Sequence, residues 1–215
     1  MPLRPLFLTL AFCMLVAPAA SAMGERPATA PAVPQEARSA ATIAEMEAAA
    51  GQVLLLGPRV TFETTKGAFT LVTFPQAAPQ TVAQVVRLVE EGFYDGLAFH
   101  RVVPGFVAQV GDPATKSLAF DDPQVGRGGS GKTLPPEFQG QRVKHLAGTV
   151  GMARGKDPGS ADSQFYVTLA PVDHLNRQYT VWGQVIRGME AIEAIEAGDR
   201  IVKATVTSRP APAAQ

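Results

Sequence analysis

The chain has 215 residues, with 19 basic and 19 acidic side chains and a formal net charge of zero. That balance gives no basic footprint for a nucleic-acid partner and no acidic tail for a binding appendage. Its one cysteine, Cys13, lies near the start, so beyond it no disulfide framework exists, which suits an oxidising compartment.

The first elements read as targeting and spacing. Arg4, an apolar run from Leu6 to Val16 and then Ala20-Ser21-Ala22 follow the charged, apolar, small-residue order of a secretory signal peptide. Residues 1–22 are therefore expected to be removed near Ala22, leaving a periplasmic or secreted protein. The run is short for a bilayer span, and no later stretch approaches ~18 apolar residues, so no stable membrane insertion is expected after cleavage. Residues 23–57, rich in Ala, Pro and Glu, read as a linker with a short helix from Thr42 to Ala50. Residues 58–207 make one domain of a size that holds a real core, and 208–215 a flexible Pro/Ala tail.

Within the domain, Val60–Thr64 and Phe69–Phe74 flank Lys66-Gly67, a hairpin signal. From Pro79 to Gly92, Val82, Val85, Val86 and Val89 fall at i, i+3, i+4, i+7, the apolar stripe of an amphipathic helix. Valine is a poor helix former, so packing must hold that helix. Short β-rich runs follow at 98–103, 106–110, 149–153, 165–169, 179–186 and 201–207, with a second helix at 189–197 before Gly198. Two helices among about eight short strands predict a mainly β fold, a closed or nearly closed barrel with helical caps; a sandwich is the competing architecture.

Residues 126–133, GRGGSGKT, match a phosphate-binding P-loop letter for letter. Such a loop must join a buried strand to a helix N-terminus. Here Ala119–Val125 is acidic and carries Pro123, while Pro135-Pro136 stand where the helix should run. Proline there removes a helix donor and pushes its predecessor out of helical geometry. No nucleotide is expected.

Two stretches hold unusual polar residues. If Ala98–Val103 is one strand, Phe99 and Arg101 share a face, and Pro104-Gly105 turns the chain so that Phe106 and Gln109 return near Arg101. Burial statistics alone favour a surface arginine lying over an aromatic ring. In Ser163–Val167, alternation puts Gln164 and Tyr166 on one face, which by itself reads as ordinary packing. His100, His145 and His174 lack metal-ligand spacing and read as structural, and Ser160 and Ser163 lack a nucleophile elbow.

Taken together, FHRVVPGFVAQVGD, GTVGMAR, SQFYV and YTVWGQVIRGME resemble the cyclophilin family of peptidyl-prolyl cis-trans isomerases over residues 59 to 207, most closely its secreted bacterial branch. The resemblance implies a closed eight-stranded antiparallel β-barrel capped by two α-helices, no cofactor and no metal. It implies catalytic roles for Arg101 and Gln109. It implies substrate contacts by Phe106, Val107, Ala153, Arg154, Gln164, Tyr166, His174, Leu175 and Tyr179. The glycine-rich stretch then corresponds to a loop beside the substrate groove. Proline-containing polypeptides are the implied partners. Cyclosporin is a ligand the resemblance allows, weakened by His174 where the family often has tryptophan.

The chemistry is consistent with that assignment. Amide resonance sets a barrier of ~18–20 kcal/mol to X–Pro rotation. Twisting the bond localises a lone pair on the prolyl nitrogen, which a guanidinium stabilises without favouring the planar ground state. Three departures from the family pattern stand out: Val110 in place of glycine, expected to add bulk at the groove, Arg154 for a frequent asparagine, and an insertion over 116–124. A proline-peptide-binding chaperone or assembly module using the same groove is the rival reading.

Overall fold

The computed structural model describes residues 35–50 and 56–208, so the expected signal peptide and most of the tail lie outside the described residues. The first element falls in the segment expected to be linker. Helix α1 (Gln35–Ala50) begins earlier than Thr42. It does not stand off the domain. Met46 is fully buried, and with Ile43 it packs against Val72, Phe74, Val143 and Val181.

Strands β1 (Arg59–Thr64) and β2 (Gly67–Thr73) form the hairpin, paired from Arg59↔Val72 to Thr64↔Gly67. Helix α2 (Pro79–Glu90) buries Val82, Val85, Leu88 and Val89, so the apolar stripe is real but shifted toward Leu88, with Val86 only partly covered. Its N-terminus is capped from a distance. Both Glu137 carboxylate oxygens accept from backbone N–H groups, Gln80 N and Thr81 N at 2.9 Å each, satisfying two of the donors a helix start leaves free. The paired prolines that precede Glu137 therefore serve a loop returning to α2, not a helix of their own.

The remaining strands are β3 (Arg101–Val103), β4 (Val107–Val110), β5 (Thr149–Met152), β6 (Phe165–Thr168), β7 (Val181–Arg187) and β8 (Ile201–Ser208). The short helix α3 (Met189–Glu193) follows β7 and stops before the expected Ala197. All eight strands join one antiparallel sheet in the order β3-β4-β6-β5-β7-β2-β1-β8. The curled sheet encloses stacked and edge-on aromatics: Phe62 meets Phe69, Tyr94 and Phe165, and Phe165 meets Trp182.

Two expectations are corrected. The sheet is a half-barrel, open between β3 and β8, and not a closed barrel. β3 has only three residues, and across the seam the ladder is replaced by an isolated bridge, Ala98↔Arg200, with loop hydrogen bonds such as Phe99 N to Asp199 O at 2.8 Å. The described residues contain three α-helices, α2 and α3 in the expected domain and α1 in the segment read as linker. The same short β3 breaks the predicted alternation. Phe99 is fully buried in the core whereas Arg101 is exposed, so the two do not share a face.

Candidate active site

The groove is built on adjacent strands. β3 and β4 pair Arg101 with Gln109, and β4 and β6 pair Gln109 with Tyr166. Directly opposed residues project to the same face, so three polar or aromatic side chains form one row across three strands. Beneath the row lies a satellite apolar cluster of Val107, Tyr166, Val172 and Leu175, with Phe106, Ala153 and Tyr179 packed on it. The result is a cavity of about 500 Å³.

Its lining includes Arg101, Phe106, Val107 and Gln109 from the β3–β4 hairpin, and Tyr166 from β6. Ala153 and Arg154 come from the end of β5, and His174, Leu175 and Tyr179 from the loop that contains a 3-10 turn at Asp173–Leu175. Gln164, the remaining predicted position, lies in an adjoining cavity of about 420 Å³ with Gly126, Gly128 and Gly129. Gln109, Ala153 and Arg154 line both hollows and so form the wall between them. Sequence reasoning missed Gln178, which lines the first cavity and whose carbonyl holds Arg154; no periodicity or spacing marks it.

Arg101 is the exposed cation of the groove. Its guanidinium carbon sits 5.5 Å from the Phe106 ring centroid, within cation–π range. Among the described residues its side chain has no hydrogen-bond or ion-pair partner, and it lines the cavity. Gln109 stands opposite Arg101, as expected, and its Nε2 donates to Gln164 Oε1 at 3.0 Å. Gln164 Nε2 in turn donates to Gly128 O at 2.8 Å, so the amide beside Arg101 is fixed by the glycine loop. Arg154 is braced: its guanidinium lies 4.7 Å from the Tyr179 centroid, and Nη2 donates to Gln178 O at 3.0 Å. It is a structural crossbar more than a free charge. His174 stacks on Phe106 at 5.6 Å between centroids.

The glycine loop owes its shape to two aspartates. The fully buried Asp112 accepts from Gly126 N at 2.6 Å and Gly128 N at 3.0 Å through Oδ2, and from Ala114 N at 2.8 Å through Oδ1. Asp162 accepts from Ser130 N at 2.8 Å and Gly131 N at 2.9 Å. A Cβ at Gly128 would collide with Asp112 Oδ1, which is why that position is bare. The amides that a P-loop would offer to phosphate are bound to the chain's own carboxylates.

Two departures from the family pattern take a different place than expected. Val110 is fully buried in the main core and adds nothing to the groove. In the insertion, Phe120 packs over Gly198, and none of residues 116–124 lines either cavity.

Burial pushes two site groups away from their usual ionisation. The Tyr166 phenol is raised, chiefly by burial and then by Tyr179, so it is a hydrogen-bond donor at neutral pH. Beneath the glycine loop, both ring nitrogens of His100 are shielded from solvent and lack a hydrogen-bond partner; burial lowers its pKa, with Asp112 opposing the shift.

The family model for cyclophilin type peptidyl-prolyl cis-trans isomerase/CLD matches residues 59–213. The chain belongs to this family. Among curated relatives, a probable peptidyl-prolyl cis-trans isomerase of Brucella abortus is 45% identical over 146 residues, covering 61% of this chain and 74% of that protein. Peptidyl-prolyl cis-trans isomerase B of Bacillus subtilis is 45% identical over 127 residues, covering 59% of this chain and 81% of the relative. In three dimensions a cyclophilin from Hirschia baltica aligns with a TM-score of 0.57 at 30% identity, covering 73% of this chain and 76% of that one. A Cryptosporidium parvum cyclophilin reaches 0.62 at 24% identity, covering 72% and 99%, and bears on the fold alone. This cyclophilin is accordingly an enzyme of the peptidyl-prolyl isomerase class.

Proposed function

We propose that this cyclophilin rotates X–Pro bonds in exported proteins during folding, with Arg101 as the catalytic donor and the apolar groove as the proline seat. The observation that carries the reading is the Arg101 guanidinium, unpaired among the described residues and suspended over Phe106 at the mouth of the cavity. A prolyl ring resting on Phe106, Tyr166 and Leu175 brings its nitrogen within the reach of that fork. The planar imide offers the nitrogen lone pair to the carbonyl and has little for the arginine to bind. At the twisted midpoint the lone pair is localised, and the guanidinium donates to it. One charge-assisted hydrogen bond is worth ~1.5–3 kcal/mol, or roughly ten- to a hundredfold in rate. Arginine does this without gaining or losing a proton, so the step needs neither base nor nucleophile.

Gln109 supplies the second polar contact. Its Nε2 is anchored on Gln164, which leaves its carbonyl oxygen and one amide hydrogen to hold substrate backbone while the bond turns. The ordering of Gln109 by Gln164, and of Gln164 by Gly128, is positional support of the kind a rotating substrate requires. His174, exposed and stacked on Phe106, occupies the rim where a larger indole would extend the contact surface, which argues for weakened cyclosporin binding. The charged, apolar, small-residue order of residues 1–22 supports action outside the cytoplasm.

Isomerisation of a proline tetrapeptide by wild type and Arg101→Ala tests the proposal. The variant should retain its melting temperature and lose roughly ten- to a hundredfold in kcat/KM. Equal rates from a folded variant would reject Arg101 as catalytic and favour a module that only grips proline peptides.

A further inference from the structure

Behind the groove lies a buried histidine that this mechanism does not use. His145, only 1% exposed, sits where two walls of the proline seat meet. Its Nε2 is 2.9 Å from the Tyr166 hydroxyl on β6. Its backbone N donates to Asn176 Oδ1 at 2.8 Å, and its Nδ1 is 3.1 Å from the same oxygen. Its backbone carbonyl accepts from Val172 N at 2.8 Å. Asn176 directly follows the 3-10 turn that carries His174 and Leu175.

The network fixes the tautomer. The Asn176 atom facing His145 accepts a backbone N–H, and Asn176 Nδ2 donates to Asp173 Oδ1 at 3.1 Å, so the facing atom is oxygen. Nδ1 must then carry the ring proton, and Nε2 presents a lone pair to the Tyr166 O–H. Gly151 makes the contact geometrically available. A Cβ there would collide with the Tyr166 hydroxyl and Cζ, so the phenol crosses β5 only because that position is bare.

We propose that His145 is a positioning residue of the isomerase, holding Tyr166 on one side and the Leu175 turn on the other so that the proline seat keeps its width. The proposal rests on reading the groove as the proline site. A pH dependence follows from the geometry. The titratable groups near His145 are the Tyr166 phenol on β6 and the His174 imidazole on the turn, with Asp173 on the far side of Asn176. Burial, and to a lesser degree His174, holds the imidazole neutral below the usual histidine range, against the Asn176 hydrogen bond. A proton arriving at Nε2 replaces the acceptor with a donor. The phenol must then turn its own hydrogen away, and the bond that seats the ring is lost in its native sense.

The test is a cycle of wild type, His145→Gln, Tyr166→Phe and the double variant, assayed for tetrapeptide isomerisation near neutral pH and at falling pH. Each single variant should raise KM about fivefold, the worth of one neutral hydrogen bond, with the double variant no worse than either. Wild-type KM should rise as pH falls through the depressed His145 range, and His145→Gln should be flat there. Costs that multiply in the double variant, or an unchanged pH dependence in His145→Gln, overturn the proposal while leaving the groove reading intact. Wild type inactive at neutral pH overturns both. Should a variant fail to fold, imidazole nitrogen shifts of the wild type decide. An Nδ1–H tautomer with Tyr166 ring signals titrating at the His145 midpoint supports the assignment. An Nε2–H tautomer, or Tyr166 signals indifferent to His145, overturns it.

Discussion

Replacing Asp112 by Asn tests whether a buried carboxylate shapes the glycine loop. The side chain keeps its size, so no cavity forms. Oδ2 receives Gly126 N and Gly128 N, and Oδ1 receives Ala114 N. Asparagine has one acceptor oxygen, and the less costly flip turns it toward the two glycine amides, leaving its own NH₂ against Ala114 N–H. Two bonds fall from charge-assisted to neutral, at about 1 kcal/mol each, and one buried donor is stranded at about 1–3 kcal/mol. Relief from burying a charge offsets part of this. The net expectation is about 3 kcal/mol, which at about 2–4 °C per kcal/mol lowers the melting temperature by about 6–12 °C. Calorimetry reads the shift directly. The variant should also weaken substrate binding, because the Gly128 carbonyl positions Gln164 and through it Gln109. A melting temperature within about 2 °C of wild type would refute the reasoning, since no stranded donor costs so little.

The acid side of the stability curve should carry two histidines, the buried His145 and the half-buried His100. Both His100 and His145 have pKa values held below the usual range by burial, so the unfolded chain takes up their protons first as pH falls. Their contribution is complete above about pH 6.5 and is lost as pH drops toward the folded-state values, so urea midpoints should decline from pH ~7 to ~5. His100→Leu should flatten part of that decline, and identical midpoints across the window would show that neither group is linked to folding. Met46→Ala should cost about 2–4 kcal/mol if α1 unfolds with the sheet, because the side chain is fully buried against Phe74 and Val181. A urea midpoint unchanged in that variant would mean the helix docks without contributing to the cooperative unit.

Elements written in local periodicity were legible in the sequence. The β1–β2 hairpin announced itself through Lys66-Gly67, and α2 through its valine spacing, because turn chemistry and amphipathic periods are properties of neighbouring residues. Closure of the sheet was not legible. It depends on how a three-residue β3 meets the loop before β8, and on Phe99 turning inward two residues before the ladder starts. Alternation assumes a continuous strand, and there is none at that point. Helix α1 was underestimated for a related reason. Its composition reads as linker, and among the described residues its apolar contacts come from Ile43 and Met46, so the signal lies in the apolar patch it covers and not in its own sequence. The groove residues were found through motif resemblance, whereas the link from His145 to Tyr166 joins side chains 21 positions apart through a shared proton and has no signature in spacing.

The letter-for-letter match of residues 126–133 to a P-loop has a physical explanation in the same terms. Glycines recur wherever a backbone must pass close to an oxyanion, because a Cβ would occupy the space the anion needs. In a nucleotide-binding protein the anion is phosphate and arrives from solvent. Here the anions are Asp112, just after β4, and Asp162, just before β6, which take up the amides of Gly126, Gly128, Ser130 and Gly131. The shared composition reports a shared electrostatic problem, a row of N–H groups converging on negative oxygen. In this chain the result is a loop whose Gly128 carbonyl is left pointing at Gln164, so that a carboxylate buried under the glycines helps to set the Gln109 amide opposite Arg101.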